Sequence, residues 1–185
     1  MKLVVPNNGK NFTTDDHRLA NHLSSLLHKV LNYHEVDGLA DMVLHELGHD
    51  DCFGLNKATY LVDNPDFNHL LGVAGYHKEE CLCHKEDIWV DPYVFKNDMK
   101  KAQYHNEVKK FLRDSLRRKD VDFSNANDVE ELAENLGIKD AHYFTWNMKH
   151  GNHGLIIFEK GDKSIDEWRE GLLANVAGLL SFCGI

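Results

Sequence analysis

Between Thr14 and Tyr33 the apolar residues Leu19, Leu23, Leu26, Leu27, Val30 and Leu31 recur three and four positions apart, with His17, Asn21, Ser24 and His28 between them. That spacing collects the leucines on one side of an α-helix. Thr14 stands where an N-cap belongs, and Asp15 and Asp16 suit the positive end of the helix dipole. A helix with so wide an apolar stripe must lay it on another layer, which commits the chain to a packed domain.

A short strand is expected in KLVVP near the start, before a proline and an Asn-rich turn. A second helix should run from about Glu35 to about His49, burying Val36, Ala40, Val43 and Leu47. Asn64-Pro65 has the form of an N-cap followed by proline in the first turn, opening a third helix with Phe67, Leu70, Leu71 and Ala74 inward. IWV and YVF look extended, yet Pro92 excludes a central place in a continuous strand.

From Lys96 to Asp120, nine Lys or Arg stand against four Asp or Glu. Tyr104, Val108, Phe111, Leu112 and Leu116 recur there at helical spacing, so an amphipathic helix with a solvated basic face is expected. Asn127 to Glu130 opens a short helix that stops at Gly137, and AHYFTWNMK and HGLIIFEK flank a turn as a β-hairpin. Ser164-x-x-Glu167 is a capping-box pattern starting a last helix through Leu180. The expected fold is α+β, helix-rich in its N-terminal two thirds with a small antiparallel β element near the C-terminus. Residues 1–185 are expected to form a single domain, and only the segment 120–126 suggests a subdivision.

The net charge of -9 argues against nucleic acid as a partner, because phosphate contacts need a concentrated positive surface. The opening MKLVVPNN lacks a signal-peptide core, and the longest apolar stretch, GLLANVAGLLSF, is too short to span a bilayer. Cys52, Cys81, Cys83 and Cys183 without an export signal fit a reducing compartment. A cytoplasmic protein with no membrane insertion is expected; oligomeric state is not legible.

Three constellations carry chemistry. The first is His45-Glu46-Leu47-Gly48-His49, whose histidines at i and i+4 can converge from one helix face on a metal ion, with Glu46 placed to take a proton from metal-bound water. These five residues resemble the zincin metallopeptidases. The resemblance implies a Zn2+-dependent hydrolase acting on peptide or protein substrates, with His45 and His49 as ligands and Glu46 as general base. No Glu lies between Glu46 and Glu79, so a third ligand would come from Asp63, Asp66, His69 or His77. Asp66 and His69, one turn apart on the expected third helix, are the leading choices, His69 first.

The same stretch has a second enzymatic reading. His49-Asp50, preceded by His22, His28 and His34, resembles the HD-domain phosphohydrolases, which implies metal-activated water attacking a phosphate ester. The second constellation, His77-x-x-x-Cys81-x-Cys83-His84, offers four zinc-compatible ligands, and four protein ligands would make that site structural. The third, His150-Gly-Asn-His153 with His142 upstream, has the form of exposed hairpin-turn residues. Against all three stands a non-enzymatic reading: a protein-binding protein whose histidines lie on polar faces and whose metal, if any, is structural.

Overall fold

The computed structural model describes residues 12–80, 87–117, 126–162 and 165–183. Strands β1 (Leu55–Asn64), β2 (His69–His77), β3 (Leu112–Arg113), β4 (His142–Asn147) and β5 (His153–Lys160) form one sheet in the order β3-β2-β1-β5-β4. Every neighbouring pair is antiparallel.

On β1, Ala58, Tyr60 and Val62 belong to one core and Leu61 to the other, so this strand is buried on both faces. Against the first face pack α1 (Thr14–Asn32), α2 (Leu39–Gly48), α3 (Pro92–Met99) and α6 (Glu167–Ala177). The second face is covered by α4 (Gln103–Lys109) and α5 (Ala126–Asn135), through Tyr104, Val108, Val129, Leu132 and Ala133.

This corrects the expected fold class. The sheet has five strands and occupies the middle and C-terminal part of the chain, with helices at both ends, so it is not a small element near the C-terminus after a helical two thirds. The error lies at Asn64-Pro65. The Asn64 side chain does accept from the Phe67 N–H, but the turn it starts is a 3-10 turn over Pro65–Phe67 that ends at Asn68 with φ 55°. That turn links β1 to β2. The helical spacing of Leu70, Leu71 and Ala74 is a coincidence of a strand sandwiched between two cores, where period-2 alternation disappears because both faces are apolar.

The basic stretch is likewise not one helix. Its described part divides into α3, α4 and β3. The hairpin of β4 and β5 and the helices α1, α5 and α6 lie where the spacing put them, with shifted caps: Thr13 rather than Thr14 caps α1, and Asp166 caps α6. The KLVVP segment and Ser164 lie outside the described residues.

Two features fix how the elements pack. Asp16 closes a capping box with Thr13 and also receives Arg169 of α6, whose Nη2 is 3.2 Å from Asp16 Oδ1. With Asp16 only 3% exposed, Asp16→Ala is expected to cost about 2 kcal/mol in a urea titration, since it removes a cap and strands a guanidinium. An unchanged midpoint would show that the Asp16 cluster contributes nothing.

The second feature is at the sheet edge. β3 pairs β2 only at Leu70 and Leu71, and beyond them α4 lies against the edge strand. Gly72 donates its N–H to the Phe111 carbonyl at 3.0 Å, and a Cβ at Gly72 would overlap the Val108 carbonyl oxygen. A Cβ at Gly75 would crowd the Val108 side chain and the His105 Cα. Two glycines on one strand let a helix cover backbone groups that would otherwise form an open edge.

Candidate functional site

The His45–His49 segment forms the last turn of α2. Gly38, at φ 85°, starts the helix, and His49 ends it with extended backbone, ψ 152°. Leu44 and Leu47 go into the core, and the three ionisable side chains take separate directions.

His45 is 7% exposed and meets two rings edge-on, Tyr76 of β2 at 5.4 Å and Phe95 of α3 at 5.2 Å between centroids. Edge-to-face packing of this kind makes the imidazole part of an aromatic cluster. Glu46 faces α1, where its Oε1 lies 3.1 Å from His22 Nε2 and 3.5 Å from Lys29 Nζ. Burial alone would raise the Glu46 carboxyl, but the His22 contact and the Lys29 charge outweigh it and hold it below its ordinary value. His49 is on the surface, its Nδ1 accepting the Asp51 N–H at 3.3 Å. Asp50 pairs with Lys78 at 3.0 Å.

The leading third-ligand candidates, Asp66 and His69, are at the other end of the hairpin from His45, whereas His77, also a candidate, ends β2 on the His45 side. Asp66 lies in the 3-10 turn and His69 begins β2, seven residues before the Tyr76 that touches His45. At the usual rise of a strand that is roughly 23 Å. The shared helix face on which His69 and Asp66 were to meet does not exist. The histidines of the phosphohydrolase reading are dispersed too: His22 meets Glu46, His34 Nδ1 contacts the Leu31 carbonyl, and the expected all-helical setting is interrupted by β1 and β2.

The fold instead joins one member of the first constellation to one of the second. His45, Tyr76, His77, Glu80 and Met99 line a cavity of about 10 Å³, room for a single water. His77 Nδ1 is buried without a hydrogen-bond partner among the described residues and lies 4.0 Å from Glu80 Oε1. Glu80 Oε2 accepts the Tyr104 N–H at 2.8 Å, fixing the start of α4. Cys81, Cys83 and His84, the remaining members of the second constellation, lie outside the described residues. Among the described residues no group of three or more His, Cys, Asp or Glu is placed to hold a metal ion.

Beside the cavity is a buried polar group that spacing did not reveal. Asp41 of α2 and His105 of α4 are 8% and 5% exposed, with Oδ1 and Nδ1 3.8 Å apart. Lys109 Nζ approaches Asp41 Oδ2 at 3.7 Å from the solvent side. Burial raises the Asp41 carboxyl to about 6, against the pull of Lys109 and Lys96. Burial and the Lys109 charge lower His105 to about 4. The Gly75 N–H points at His105 Nδ1 over 3.5 Å, an arrangement that needs this nitrogen unprotonated. The one sequence hint at Asp41 was its place in the first turn of a helix, which reads equally well as complementing the dipole.

In the third constellation, His142 stacks on Phe158 and lies 3.6 Å from Glu170, His150 is exposed at φ 59°, and His153 Nδ1 contacts Asn147 Oδ1 at 3.0 Å. These are separate local contacts. Among the described residues no helix is long and apolar enough to cross a membrane. No family model, curated protein or solved structure matches the chain.

Proposed function

We propose that this chain is a non-catalytic, protein-binding module of the cytoplasm, in which the His45–His49 segment packs and anchors helix α2. The observation that supports the reading is the divergence of the segment's side chains. His45 is wedged between Tyr76 and Phe95, Glu46 is engaged by α1, and His49 is on the surface beside Asp51. A zinc hydrolase needs these groups held together around one open coordination position, in a cleft that admits substrate. The cavity beside His45 has room for about one water.

The zincin-like resemblance makes the opposite prediction, so elemental analysis of untagged protein separates the two. A His45→Ala, His49→Ala variant is expected to carry the same zinc content as the wild type. One equivalent of zinc lost with that pair would overturn the binding-module reading. Glu46→Gln is expected to lower stability by about 1 kcal/mol through the weakened α1 contact, read by urea unfolding, with metal content unaltered.

A further inference from the structure

The outward side of α3 carries apolar side chains that the fold does not use. Val90, Tyr93 and Val94 are 76%, 74% and 49% exposed. Their exposure follows from how the helix begins. The Asp91 side chain accepts the N–H groups of Tyr93 and Val94, Pro92 occupies the first turn, and the helix then turns Phe95 and Met99 into the core. Isolated exposed apolar residues are ordinary; here three fall within five positions, and one of them is a tyrosine, a residue type enriched where proteins meet.

The rim of this patch is acidic. Asp87 and Asp91 flank it within the chain, and the turn carrying Glu35 and Asp37 is brought alongside by the Lys96–Asp37 pair at 3.2 Å and by Tyr33 against Trp89. Glu35 and Asp37 are almost fully solvent-exposed, with side-chain values of 89% and 88%. Among the described residues, Lys29 is engaged by Glu46 and Asp87, and Lys96 by Asp37. Among the described residues, the four carboxylates Glu35, Asp37, Asp87 and Asp91 stand against these two lysines around an apolar centre, in a protein of net charge -9.

We propose that Val90, Tyr93 and Val94, with the carboxylates of Glu35, Asp37, Asp87 and Asp91, form a docking surface for a basic amphipathic segment of a partner protein. The proposal rests on the binding-module reading and names the partner class of that function. Apolar side chains of the segment cover Val90 and Tyr93, and its Lys or Arg side chains meet the carboxylate rim.

The test uses the full chain and two labelled synthetic helical peptides with the same leucine face, one with lysines and one with glutamates on the polar face. Fluorescence anisotropy is expected to show the lysine peptide binding and the glutamate peptide binding at least about tenfold more weakly. Val90→Ser, Tyr93→Ser is expected to weaken the lysine peptide about tenfold, and Glu35→Gln, Asp37→Asn to weaken it several-fold and reduce its salt dependence. The substituted side chains are exposed, so Val90→Ser, Tyr93→Ser leaves the thermal midpoint unaltered, and Glu35→Gln, Asp37→Asn lowers it only by the small contribution of the surface Lys96–Asp37 pair. Equal binding of the two peptides, or wild-type affinity in Val90→Ser, Tyr93→Ser, overturns the proposal. So does a wild-type dimer in sedimentation that this variant breaks, which would assign the patch to a second copy of the chain. The zinc comparison reads the binding-module proposal independently, so failure of the docking surface leaves that result standing.

Discussion

Gly72→Ala is expected to be the most damaging single methyl group in this protein. The added Cβ meets the Val108 carbonyl oxygen and carbon, which are backbone atoms and cannot rotate away. Either α4 moves off the edge of β2, breaking the Gly72 to Phe111 hydrogen bond and opening the Val108 core contacts, or β2 bends. We expect a loss of about 3 kcal/mol or more, read as a drop in the urea midpoint. Gly171→Ala is the matched control. It lies inside α6 with nothing within 4 Å of its Cβ position, and alanine there should stabilise by up to about 1 kcal/mol. Equal effects of the two substitutions would show that α4 does not seal the edge of the sheet.

The second large effect is on pH dependence. The folded protein holds the Asp41 carboxyl at about 6 against an ordinary value of 3.8, so it binds that proton more tightly than the unfolded chain does. The stabilisation from this group is complete below about pH 4 and is lost as pH rises through 6. His105 runs the other way. Lowered to about 4 from 6.5, it contributes fully above pH 6.5 and its contribution is lost as pH falls through 4. Each effect is about 3 kcal/mol, and the two oppose one another across the same window.

Asp41→Asn removes one side of this balance. The variant is expected to match wild type near pH 4 and to exceed it by up to about 3 kcal/mol at pH 8, less the small contribution of the half-exposed Lys109. It should also show the loss of stability on acidification that His105 alone produces. Urea midpoints from pH 4 to 8 test this, and an Asp41→Asn variant no more stable than wild type at pH 8 would mean that the Asp41 carboxylate is well accommodated. A gain of this size in Asp41→Asn would show that the approach of Asp41 to His105 between α2 and α4 costs stability at neutral pH.

How much of this was legible in the chain can be judged residue by residue. Leu19, Leu23, Leu26 and Val30 were readable because α1 has one buried face, and a single buried face leaves a period in the sequence, whereas Leu27 and Leu31 of the expected stripe are exposed. The β4–β5 hairpin was readable because its strands are bounded by turn residues. β1 and β2 were not, since Ala58, Tyr60, Leu61 and Val62 are all buried and no alternation survives burial on two sides. Asn56, Lys57, Thr59 and Asp63 further disguised β1. Thr59 and Asp63 are fully buried, and the Thr59 hydroxyl is satisfied by Tyr104 at 2.6 Å, a partner 45 residues away.

The candidate site divides along the same line. Spacing in the chain placed His45 and His49 at the end of one helix and within one turn of each other, and that holds, because i to i+4 geometry is local. Directions of side chains are not local. Whether His45 and His49 converge depends on Tyr76, Phe95 and the surface loop after α2, and where Glu46 goes depends on His22 and Lys29, more than fifteen residues earlier. The cavity shared by His45 and His77, the burial of Asp41 against His105 and the distance of His69 from both are set by how β2 runs between α2 and α4. By itself, then, the sequence determined the helices with one apolar face, the terminal hairpin and the composition of the surface. Only the tertiary structure decided which ionisable groups share a space, because each packing partner is supplied by a segment distant in the chain.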